Sequence, residues 1–80
     1  MILDSLRNSA SFNETDRAIA TYLLNHTSDL KTLTMAKLAQ ETYTSNATII
    51  RFCKKLGLSG YRELIMQLIQ EISGDYLLAA

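Results

Sequence analysis

Two runs with helical apolar spacing, "MAKLAQET" and "NATIIRFCKKL", stand only about three residues apart. A link that short leaves two helices few ways to pack, and they must cross steeply. The apolar residues fit that demand. In the first run Met35, Leu38 and Ala39 fall on one side, with Ala39 small enough for close approach. At about 100° per residue, the second run gathers Ile49, Phe52, Cys53 and Leu56 on one flank. Thr34 and Ser45 are good caps for the two helix starts, and Gly57 stands where a helix end favours glycine.

The remaining segments read the same way. Ile2, Leu3 and Leu6 make a short amphipathic turn or two, which "SASFN" interrupts. Asn13 caps a helix over about Glu14 to Asn25, with Glu14 and Asp16 in its first turn. Ala18, Ile19, Tyr22 and Leu23 share its apolar face, and His26 is expected to bind the carbonyls at its end. "TSDLKTLT" reads as a connection. A last helix begins near Gly60 or Tyr61, with Tyr61, Leu64, Ile65, Leu68, Ile69 and Ile72 in a broad stripe and Met66 off it. Gly74 is expected to end it, leaving "DYLLAA" as an apolar tail. Eighty residues, 48% of them hydrophobic, suffice for one small core, and three glycines with no proline disfavour a turn-rich β fold. The expected fold is all-α, a compact bundle of about five helices forming one domain over residues 1–80.

Lysines and arginines number 8 against 8 aspartates and glutamates, so the chain is neutral, but the charges are not mixed evenly. Tyr43 to Arg62 holds Arg51, Lys54, Lys55 and Arg62 and no acid. On the helix between Ser45 and Leu56, the flank opposite the apolar one carries Ala47, Ile50, Arg51 and Lys54, with Thr48 and Lys55 at its edge. Two helices joined by a tight turn, the second presenting small and cationic groups, form a helix-turn-helix suited to double-stranded DNA. Arg51 can fork onto a guanine edge or a phosphate, and Lys54 and Lys55 suit phosphates. Ile50 can meet a thymine methyl group. Ser45 and Asn46 start the helix, where free N–H groups favour an anion, and Arg62 stands beside a second helix start. A solvated face, or a helical surface that docks a protein partner through Ile50, Met66 and the tail, accounts for the same residues.

Other chemistry finds little support. Cys53 lies on the apolar flank as a small packed residue, and one His with one Cys cannot build a zinc site. No paired carboxylates, nucleophile–base set or glycine-rich phosphate loop is discernible, so neither an enzyme nor a cofactor is expected. No apolar run approaches the ~20 residues that cross a bilayer, and "MILDSLRNSA" is too polar for a secretion signal, so the cytoplasm is the expected location.

From Leu38 to Ile65, "LAQETYTSNATIIRFCKKLGLSGYRELI" resembles the pattern "LAxxxGVSxATVxRFCxxLGFxGYxEFK" of the amino-terminal domain of the RpiR family of bacterial transcriptional regulators. "FNETDRAIATYLLNH" is similar to that family's leading helix, and "LTMAKLA" to its "MSIAELA". Four positions depart from the pattern: Tyr43 replaces a turn glycine, Thr44 a valine-like residue, Asn46 a proline, and Ile50 a frequently polar residue. The resemblance implies a DNA-binding regulator of sugar or sugar-phosphate metabolism. It also implies a sugar-isomerase-type domain, absent from this sequence, as the place where a phosphosugar effector binds. One such module offers little area, so specific binding is expected from a homodimer on a two-part operator.

Overall fold

The computed structural model describes the backbone of residues 2–8 and 10–79, and side chains as far as residue 73. Five α-helices follow one another: α1 (Ile2–Asn8), α2 (Glu14–Asn25), α3 (Met35–Glu41), α4 (Asn46–Lys55) and α5 (Tyr61–Ala79), with one 3₁₀ turn at Thr27–Asp29. No strand occurs among the described residues.

The caps act where their residue types place them. Asn13 Oδ1 accepts the Asp16 amide at 2.8 Å and Asp16 Oδ2 accepts the Asn13 amide at 3.1 Å, a reciprocal capping box. Thr34 caps α3 by accepting the Lys37 amide, and Ser45 caps α4 by accepting the Thr48 amide. At the end of α2, His26 Nδ1 lies 2.8 Å from the Tyr22 carbonyl, as expected, and its ring stacks on Tyr22.

One buried cluster joins the helices: Ile2 and Leu6 of α1, Ile19, Ala20 and Leu23 of α2, Leu38 and Ala39 of α3, Ile49, Phe52 and Cys53 of α4, and Leu64, Ile65 and Leu68 of α5. α3 packs against α4, α4 against α5, and α1 against both α2 and α5. Two expectations are corrected, at Ala18 and at Gly74. Ala18 is exposed and Ala20 buried, because α2 docks along Asp16, Ile19, Ala20 and Leu23. Both connections reach into the core, through Phe12 and Leu30; the Phe12 ring meets Phe52 at 5.4 Å between centroids. Gly74 does not end α5, which continues to Ala79; one interior glycine costs a helix only about 1 kcal/mol.

Glu71, on α5, is buried at 4% exposure. Its carboxylate accepts the amides of Ile2 and Leu3, each at 3.0 Å, and the Gln67 side-chain amide at 2.9 Å. The first amides of a helix have no partner within it, so an acid from α5 caps α1 across the fold. Burial pushes this carboxyl up, but the hydrogen bonds from Leu3, Gln67 and Ile2 outweigh it and hold it below 4.5. Tyr61 makes a second tie, its hydroxyl donating to the Leu33 carbonyl at 2.6 Å. Burial, then the nearby Cys53 and Tyr22, push that phenol up to about 12.

Candidate nucleic-acid interface

The turn between α3 and α4 is a Schellman motif. The Tyr43 amide donates to the Gln40 carbonyl at 3.2 Å and the Thr44 amide to the Ala39 carbonyl at 2.8 Å. This wrap places Tyr43 in the left-handed region, at φ 58°. The end of α4 repeats the pattern, with Gly57 donating to Lys54 at 2.9 Å, Leu58 to Cys53 at 3.0 Å, and Gly57 at φ 84°. Glycine adopts that conformation freely, whereas a residue with a Cβ is strained by about 1–2 kcal/mol. Tyr43, standing where the family pattern has a turn glycine, is therefore strained.

The turn sets α4 so that Ile49, Phe52 and Cys53 are buried and the opposite flank is open. Ser45, Asn46, Ala47, Arg51, Lys54 and Lys55 are exposed and Thr48 is half-buried. Ile50 is 36% exposed. Cys53 lies wholly inside, and burial raises its thiol to about 11, so it stays protonated at neutral pH.

The cations of this region are held differently. Arg51 Nη2 donates to Thr48 Oγ1 at 3.2 Å, and Thr48 Oγ1 lies 3.0 Å from Ser45 Oγ. The cap and the guanidinium are thus joined in one chain along the amino-terminal half of α4. Lys54 and Arg62 make no ion pair among the described residues, whereas Lys55 Nζ pairs with Asp16 Oδ2 of the α2 capping box. That contact spans 39 positions, so no local sequence signal announces it. Asp16 offsets part of the positive charge of Lys55 at the edge of the face.

Beside α4 runs an open groove of about 470 Å³, whose lining includes Asn13, Thr15, Tyr43, Thr48, Arg51 and Lys55. Arg62 lies apart from it, on a groove with Leu30, Leu33, Ile65, Met66 and Ile69. At the start of α5, Glu63 accepts both the Ser59 amide and the Ser59 hydroxyl, so an internal acid already holds a donor there. Asn13, Thr15, Tyr43 and Thr44 line the groove although charge and periodicity did not select them as contacts, and Tyr43 is the most exposed large side chain among them. The sequence marked Tyr43 only as a departure from a turn glycine, which points to no contact.

Residues 2–75 match the family described as the helix-turn-helix domain of the rpiR family. The chain belongs to this family. It is a DNA-binding domain of a transcription regulator, a function that is not catalytic. Among solved structures it is similar to the Vibrio vulnificus NanR protein complexed with ManNAc-6P, at 33% sequence identity and a TM-score of 0.84. The match covers 92% of this chain and 28% of the NanR chain. No described helix is long and apolar enough to cross a membrane, and no group of three or more His, Cys, Asp or Glu among the described residues could hold a metal ion.

Proposed function

We propose that α4 of this rpiR-family domain enters the DNA major groove of an operator, in a bacterial regulator working in the cytoplasm. The observation that carries the reading is the division of α4 into a buried apolar flank and an open flank of Ala47, Ile50, Arg51 and Lys54. Ala47 lets the backbone come close, while Asn46, Ile50 and Arg51 stand where base edges pass. Ser45, Thr48 and Lys54 hold phosphates, Arg62 a flanking one, and Lys55 a weaker share because Asp16 partly neutralises it.

Operator recognition uses two copies of the domain. The apolar groove that α5 forms with Leu30, Leu33 and exposed Met66 supports a place for a second copy. The regulated process is sugar or sugar-phosphate metabolism, and the phosphosugar is sensed by a further domain outside these residues. The ManNAc-6P carried by the NanR structure supports that assignment.

The test is a titration of duplex DNA at two salt concentrations. Each phosphate neutralised steepens the fall of log affinity with log salt by about 0.9. Arg51→Ala and Lys54→Ala are each expected to weaken binding and flatten that slope by up to about one such step. Binding indifferent to salt and to both substitutions would instead favour a protein-docking module.

A further inference from the structure

Tyr43 presents an inconsistency within one chain. Two Schellman turns close α3 and α4 with the same pair of hydrogen bonds, and one uses Gly57 where the other uses Tyr43. The left-handed conformation strains a tyrosine and not a glycine. Packing does not compensate, because Tyr43 is 96% exposed. Its hydroxyl has no hydrogen-bond partner among the described residues. Within the folded chain the side chain therefore stabilises nothing that would offset the turn it strains. Backbone strain of this kind persists chiefly where a functional contact uses it.

The position narrows the contact. Tyr43 links the two helices and shares the groove with Thr44, Thr48 and Arg51. When the second helix of such a pair enters the major groove, the first crosses the sugar–phosphate backbone, so the connecting turn lies beside a phosphate. Tyrosine hydroxyls are among the neutral donors that proteins offer to phosphate oxygens. A glycine would relax the turn and reach nothing.

We infer that Tyr43 is a DNA contact: its hydroxyl donates to a phosphate oxygen on the strand flanking α4, beside the Thr48–Arg51 pair. The inference rests on the DNA-binding reading above and adds a neutral residue to its cationic face. A neutral donor adds affinity without releasing counterions, so its removal leaves the salt slope unchanged.

Tyr43→Gly, Tyr43→Phe and Arg51→Ala can be compared with the parent by fluorescence anisotropy on a labelled mixed-sequence duplex in dilute buffer. Thermal melting of each protein accompanies the titration. Tyr43→Gly is expected to melt higher than the parent yet bind about three- to tenfold more weakly, the range of one net hydrogen bond. Tyr43→Phe keeps the ring and loses the hydroxyl, and is expected to bind as weakly as the glycine variant. If either Tyr43 variant binds as tightly as the parent while Arg51→Ala is weakened, the phosphate contact is wrong and the DNA reading survives. If the parent does not bind this duplex in dilute buffer, both fall together.

Discussion

At Gly57 and Tyr43 the same backbone shape is occupied by residues of opposite preference. Nothing lies within 4 Å of a Cβ added at Gly57, so a substitution there meets the conformational penalty without a clash. Gly57→Ala is expected to destabilise the fold by about 1 kcal/mol, and Tyr43→Gly to stabilise it by about the same amount. Urea unfolding of the two variants checks both signs; equal midpoints would mean that the strain at Tyr43 has been relaxed elsewhere. Individual side chains were legible in the sequence as far as local rules reach. Asn13, Thr34, Ser45 and Gly57 cap what they should, because a cap bonds within its own turn. Glu71 and Asp16 were not legible as buried acids, since the partners that draw them inward, Ile2 and Leu3 for Glu71 and Lys55 for Asp16, lie far away along the chain.

At the scale of elements, α1 is held by its neighbours. Seven residues are too few for a stable isolated helix, and its first amides end on Glu71 of α5. Glu71→Gln is expected to cost about 1–2 kcal/mol at pH 7, because hydrogen bonds to an ionised acceptor are the stronger kind. The folded carboxyl titrates below 4.5, so its stabilisation is complete above the unfolded-state value and is lost as pH falls through the folded one. The gap between parent and Glu71→Gln should therefore narrow on acidification below about pH 4.5 and vanish once both are uncharged. A gap that stays constant down to strong acid would show that Glu71 acts by packing alone. Helix periods located all five elements, since apolar residues three and four apart must face one way. They missed Phe12 and Leu30 in the connections, where no period operates, and the rotation of α2 that buries Ala20 in place of Ala18.

For the whole molecule, neutral net charge conceals a local field. The basic segment stands without acids in the sequence, yet folding brings Asp16 of α2 onto Lys55. Asp16→Asn would release the charge of Lys55 toward solvent. Duplex binding in dilute buffer is expected to tighten and the salt slope to steepen by up to about 0.9. The substitution is also expected to lower stability by about 1 kcal/mol through the weakened capping box. Anisotropy at several salt concentrations separates the two effects; unchanged affinity and slope would place Lys55 away from the nucleic acid.

By itself the sequence determined the helices, their caps and the split of α4 into an apolar and a cationic flank, all consequences of interactions spanning at most one or two turns. Tertiary structure alone decided which cations remain unpaired, which acid caps a distant helix, and that Tyr43 stands exposed on the rim shared with Arg51. Those outcomes depend on where separate helices come to rest against each other. That placement follows from the shape of the shared core, which no single stretch of chain encodes.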